Sequence, residues 1–275
     1  MTITQCIWCQ GSAGGNHVEH IVPEVLGCPP DFILTSDFIC QRCNNGLGQL
    51  DQAVADDFDF LTFQSGIPRK KGKPAKLASR GNVYGYSTKN EKRLFFNMDS
   101  KKTIKASDGF HVAPYRNSER NVKANFKAES GVAEITFQIK FGQSKKFQRG
   151  IFKIALSALA YFIGPNELYK SKYNQLRNYV RNGTGIRHLI LLADSNPNNY
   201  SHQFDNPYIS ETGDYLLTFR LACVRFVVDL SESESSLARL SETAHQMFGQ
   251  KGWTILPSDS MVNNSFDMTS PHTKS

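Results

Sequence analysis

The sequence predicts an α+β protein in two parts, a small front module and a larger mixed domain behind it. Three observations carry this. Two Cys-x2-Cys pairs, Cys6 with Cys9 and Cys40 with Cys43, bracket a front segment of short runs and turn residues. Between residues 82 and 142 apolar and polar side chains alternate, which is the period of strands. From Lys145 the period lengthens to that of helices, with strand-like runs further on.

Taken in order, residues 1–50 read as short runs broken by turns, and "LGQLDQAVADDFDFLTF", residues 47–63, reads as a helix with apolar positions near a 3.6 period. A Gly, Pro and Lys-rich connector follows from about Ser65 to Lys76. "NVYGYST", "RLFFNMD", "VKANFKAE" and "AEITFQIKFG" are β-prone. "KKFQRGIFKIALSALAYFIG" is apolar nearly all round and ends at Gly164-Pro165, the pattern of a buried helix. "NELYKSKYNQLRNYVRNG" predicts one amphipathic helix stopped by Asn182-Gly183. "IRHLILLAD" and "YLLTFRLACVRFVVDL" predict core strands, "SSLARLSETAHQMFG" a late helix and "WTILP" a last strand. The predicted parts are residues 1–64, residues 65–256 and a tail over 257–275 whose Ser, Asn and Asp content predicts disorder. There is no internal repeat.

Composition sets limits on function. A chain of 275 residues, 40% apolar and 21% charged, can bury a sizeable core without disulfides. Neither a signal-peptide pattern nor a run of ~20 apolar residues is present, so the expected location is cytoplasmic, without a membrane partner. In a reducing compartment the paired cysteines point to metal rather than to disulfides. The net charge of +7 is unevenly spread: residues 1–64 hold one basic and eight acidic side chains, and residues 65–127 hold sixteen basic and four acidic ones. An acidic front cannot grip a polyanion alone. The basic block with Arg69, Lys70, Lys71, Lys73, Lys76 and Arg80 has the charge of a nucleic-acid-binding segment, the plainer reading being a solvated lysine-rich surface. Tyr84, Tyr86, Phe95 and Phe96 are interleaved with that charge, as stacking platforms or, more commonly, as core.

Four thiolates at Cys6, Cys9, Cys40 and Cys43 suit a tetrahedral zinc site, closed to substrate and therefore structural. Cys28 and Cys223 lack a spacing partner and read as small apolar side chains. Between the knuckles lies "HVEHIVPEVLG", residues 17–27, where His20 can be read as a zinc ligand, a core residue or a catalytic base. A metal staple would hold the His20 strand close to Asn44 and Asn45, which directly follow Cys43. Strand alternation puts Glu19 and His20 on opposite faces, so sharing one site requires a twist or bulge, with which nearby Pro23 is compatible. Glu19 has the alternative of a plain surface carboxylate and Asn44 that of a helix cap, with Asn45 able to exchange roles with it. His17 reads as a loop residue ahead of a phosphate contact or an alternative zinc ligand.

The ordered set Cys-x-x-Cys, Glu-His-Ile-x-Pro-Glu-x-Leu-Gly and Cys-x-x-Cys-Asn-Asn-x-x-Gly, over residues 6–51, resembles the zinc-stapled branch of the HNH endonucleases, the ββα-metal nucleases. The resemblance implies an HNH nuclease module with a structural zinc over 1–64, followed by a basic connector and a mixed α+β domain that positions or recognises nucleic acid. It implies His20 as general base, Glu19 and Asn44 as ligands of a catalytic Mg²⁺ or Mn²⁺, and DNA as substrate, in genome defence, restriction or mobile-element work. The sequence departs from the pattern at Thr35, where many members carry an Asn that orients the histidine. The chemistry is consistent with the residue types. Phosphodiester hydrolysis needs an in-line water, a base of pKa near ~6.5 and a cation with a sparse protein ligand set. A non-catalytic zinc-knuckle nucleic-acid-binding protein and an RNA nuclease are the competing readings.

Overall fold

The computed structural model describes residues 4–69, 72–77, 83–87, 92–96, 110–113, 120–127, 132–139, 141–193, 200–248 and 253–257. The tail from 258 onward lies outside them. The chain forms two compact units, Met1–Phe58 with Gly142–Ser260, and Asp59–Phe141 with Met261–Ser275. The front segment thus folds with residues from 142 onward, whereas the intervening residues cluster by themselves.

Strands β1 (Val18–His20) and β2 (Ile33–Thr35) form an antiparallel pair. The "PEVLG" stretch makes a short 3₁₀ turn over Glu24–Leu26, ended by Gly27 at φ 86°, a left-handed conformation suited to glycine. Helix α1 (Gln41–Ser65) begins one residue after Cys40 and buries Cys43, Leu47, Leu50, Val54 and Phe58, a repeat of three and four residues that makes one apolar stripe. Its first turns take in "NNGLGQLD", residues 44–51, a stretch with the look of a helix start, and Cys43 already lies on this stripe.

In the second unit β3 (Ala75–Leu77), β4 (Val83–Ser87) and β5 (Lys92–Phe96) form one antiparallel sheet. β6 (Phe110–Ala113), β7 (Arg120–Lys127) and β8 (Val132–Ile139) form another. The predicted connector therefore ends in a strand: Ala75 and Leu77 turn inward and Lys76 outward. β6 was not visible in the alternation pattern.

Back in the first unit, α2 (Lys145–Ile163) is capped by Ser144, whose Oγ accepts from the Phe147 N–H, and every residue from Phe147 to Ala160 is buried. This agrees with the predicted all-round apolar helix. The single helix expected over residues 166–183 is instead broken into α3 (Pro165–Leu168), a 3₁₀ turn at Ser171–Tyr173 and α4 (Asn174–Asn182). The Arg177 guanidinium explains the break. It donates to the carbonyls of Leu168 and Lys170, satisfying acceptors that a continuous helix would have paired internally.

The remaining strands are β9 (Leu189–Ala193), β10 (Gln203–Phe204), β11 (Tyr208–Ile209), β12 (Tyr215–Leu221), β13 (Val224–Asp229) and β14 (Trp253–Leu256). They form one antiparallel sheet in the order β10-β12-β13-β9-β14, with β11 also on β12. Helix α5 (Ser235–Phe248) starts where the Asp229 carboxylate accepts from the N–H groups of Ser236 and Leu237. Rings of Phe58, Phe147, Phe226 and Phe219, with neighbouring centroids 5.5–6.4 Å apart, join α1 and α2 to the sheet.

Helices α1 and α2 approach closely at Gly150. A Cβ there would lie 2.5 Å from Val54 Cγ2 and 3.0 Å from the Leu50 carbonyl oxygen. Backbone cannot yield as a side chain can, so Gly150→Ala should destabilise the protein by about 1–3 kcal/mol despite alanine's better helix propensity. A calorimetric midpoint equal to the parent's would contradict this packing.

The turn after β1 is held from the sheet side. Tyr200 Oη and His202 Nε2 both donate to the Leu26 carbonyl, at 3.1 and 2.7 Å, while His202 Nδ1 accepts from the Ala222 N–H at 3.4 Å. Burial holds the His202 imidazole below its ordinary pKa, against the Leu26 contact, so folding favours its neutral form. The unfolded chain binds that proton near pH ~6.5, so this contribution to stability is complete above that value and is lost as pH falls below it. Thermal midpoints measured from pH 7.5 to 5 should decline less steeply in His202→Gln than in the parent. Parallel declines would assign the acid sensitivity elsewhere.

Candidate functional site

The thiols of Cys6, Cys9, Cys40 and Cys43 converge, all four sulfurs lying within 4.8 Å of one another. Local structure explains why. Cys6 and Cys9 sit on a tight turn in which the Cys6 N–H donates to the Gly11 carbonyl, the Gln10 N–H donates to the Cys6 carbonyl, and Gln10 takes a left-handed φ of 59°. Cys40 precedes α1 and accepts its first-turn hydrogen bond from the Asn44 N–H. The two knuckles are tied together by the Ile7 N–H donating to the Phe38 carbonyl and by a bridge between Gly14 and Cys40.

Cys9 Sγ and Cys40 Sγ are 3.7 Å apart, far beyond a disulfide bond. Zinc–sulfur bonds of ~2.3 Å in a tetrahedron place sulfurs ~3.8 Å apart, so the group has the spacing to hold zinc. The Cys43 thiol, with backbone N–H groups of Cys40, Cys9 and Trp8, pulls Cys6 down to about 4 against its burial. Cys43 is pushed up by its contact with Cys6 and by burial, and Cys9 chiefly by burial. Cys28 contacts the Pro29 and Phe32 carbonyls and Cys223 is buried, neither joining the cluster.

The three residue pairs of β1 and β2 follow one another without a bulge: Val18 with Thr35, Glu19 with Leu34, His20 with Ile33. Glu19 and His20 consequently project from opposite faces. Val18 and Thr35 are exposed and His20 half-buried on the outer face, whereas Glu19, at 4% exposure, and Leu34 point inward. Among the described residues the His20 imidazole has no hydrogen-bond partner. Thr35, standing where an orienting Asn was expected, is one pair removed on that face.

Glu19 meets the ammonium of Lys153, carried by α2 one turn after the close contact at Gly150. Glu19 Oε1 forms an ion pair with Lys153 Nζ, and both Asp51 oxygens accept from the same ammonium at 2.7 Å. Burial would lower the pKa of Lys153, but the Asp51 and Glu19 charges outweigh it and raise it, keeping the ammonium charged. Burial is the main influence raising Glu19, helped by Asp51 and opposed by Lys153.

Asn44 is half-buried in the first turn of α1, and its amide makes a long hydrogen bond of 3.4 Å to the Val18 carbonyl, tying the helix start to β1. Asn45 is exposed. His17 Nε2 lies 3.0 Å from the Ile39 carbonyl, a loop tether. A catalytic Mg²⁺ or Mn²⁺ on Glu19 and Asn44 therefore does not fit this arrangement, because the carboxylate is buried and already neutralised by Lys153. No local pattern points to Lys153: a lysine 134 positions after Glu19, in an apolar helix, has no spacing relation to it.

In the other unit Arg69, Lys73 and Lys76 are exposed, and Arg69 bridges Lys73 through the backbone. Lys76 pairs across the sheet with Tyr86, whose side chain is 43% exposed, so a cation and a ring are neighbours on an open face. Lys70, Lys71 and Arg80, and the side chains of Tyr84, Phe95 and Phe96, lie outside the described residues.

Compared with protein-family models, with curated proteins and with solved structures, the chain matches none. Among the described residues no helix is long and apolar enough to cross a membrane.

Proposed function

We propose that the chain is an HNH-type endonuclease that hydrolyses phosphodiester bonds, with DNA as substrate and a structural zinc on Cys6, Cys9, Cys40 and Cys43. The observation that carries this reading is the convergence of four cysteines on a strand–strand–helix frame that leaves the His20 imidazole on its open face. A neutral imidazole there can accept a proton from water and hold it while the phosphate ester bond breaks. Asn44, anchored to β1 at the helix start, can orient the substrate through its amide. The exposed cations at Arg69, Lys73 and Lys76 would contribute affinity rather than chemistry, through contacts with phosphates.

The second reading, a zinc-knuckle nucleic-acid-binding protein without catalysis, is favoured by the pairing of Glu19 with Lys153 and by the unsupported His20 ring. Incubation with plasmid DNA, and with DNA and RNA oligonucleotides, with and without Mg²⁺ or Mn²⁺, separates the two. Scission of DNA supports the nuclease, scission of RNA alone changes its substrate, and salt-dependent binding without scission supports the second reading.

A further inference from the structure

We propose that Glu19 is a positioning residue rather than a metal ligand: Glu19, Lys153 and Asp51 form a buried ion triad that fixes β1, and so His20, against α1 and α2. Three elements contribute one member each, and the sequence distances between them are long: residue 19 on β1, residue 51 on α1, residue 153 on α2. Lys153 is 1% exposed and Glu19 4%, while Asp51, at 28%, marks the wetter end of the group.

The close approach at Gly150 explains how a lysine can be buried here. With no side chain at 150, α2 lies against Leu50 and Val54, and Lys153, three residues further on the same face, reaches the carboxylate of Asp51 beside them. The regular β1–β2 ladder turns Glu19 toward this ammonium and His20 away from it. A charge pair of this kind tolerates replacement of both partners far better than loss of one, because the remaining charge is left buried and uncompensated. Its role is to hold the strand that carries His20 in one orientation. That functional part rests on the nuclease reading above, whereas the structural part does not.

The test is a double-mutant cycle on the full chain, read by thermal midpoint, zinc content, Mn²⁺ binding by titration and DNA cleavage. Lys153→Met should lower the midpoint by on the order of 10 °C, and adding Glu19→Gln to it should recover part of that loss. If Lys153→Met does not fold, recovery of a folded protein in the double variant gives the same support. Glu19→Gln alone should leave Mn²⁺ affinity within about twofold of the parent, and any loss of cleavage should follow its change in midpoint. A double variant no more stable than Lys153→Met, or a Lys153→Met protein that melts like the parent, overturns the triad. So does a Glu19→Gln protein with parental midpoint and Mn²⁺ affinity about tenfold weaker, which would restore Glu19 as a ligand. A parent that cleaves no nucleic acid ends the nuclease reading while the melting cycle still decides the triad.

Discussion

Cys43→Ser should lose its zinc and unfold the front of the first unit, lowering the thermal midpoint by more than about 10 °C. Cys43 is buried at 6% exposure in the first turn of α1, and its sulfur is one of four that converge. Backbone hydrogen bonds tie the first knuckle to the loop before Cys40, from Ile7 N–H to the Phe38 carbonyl, and Cys40 to the helix start, from Asn44 N–H to the Cys40 carbonyl. Serine offers no thiolate, and three remaining sulfurs would leave the metal with an open position. Elemental analysis of the parent should find about one zinc per chain, and proteolysis of the variant should begin before α1. Because Cys9 and Cys43 hold their protons in the free cluster, zinc must displace them, so affinity measured by chelator competition should rise between pH 6 and 8. A wild-type protein that is metal-free and fully folded would defeat this expectation.

His20→Ala should keep the zinc, the fold and nucleic-acid binding while losing about 10²-fold or more of the cleavage rate, the scale lost with a positioned base. The structural side of the prediction follows from its surroundings. His20 stands on the outer face of β1, half-buried and without a hydrogen-bond partner among the described residues, so alanine removes little that supports the strand. Four cysteine sulfurs would complete a tetrahedron around zinc, so the ring would not be needed there. Zinc content, thermal midpoint and cleavage should be measured on the same preparation. Loss of zinc would move His20 into the structural site. Cleavage at the parental rate would transfer the proposal to the binding-module reading.

The sequence by itself determined the features whose cause is local. The two Cys-x2-Cys spacings anticipated four sulfurs that meet in space, since two residues between cysteines on a tight turn leave both thiols on one side. The apolar run from Phe147 to Ala160 specified a buried helix. Strand alternation also anticipated the separation of Glu19 from His20, and no bulge removes it.

What only the tertiary structure decided depends on partners distant in the chain. The break between α3 and α4 follows from Arg177 reaching carbonyls that helical periodicity would pair internally. The short strands β6, β10 and β11 draw their order from neighbours across a sheet, which no pattern of two to four residues can announce. The fate of Glu19 is the clearest case. As a residue type beside a histidine it suits a metal ion, and its environment gives it to Lys153 instead. The two partners lie 134 residues apart, and both are buried where α2 meets β1, a pairing of packing that no local spacing encodes.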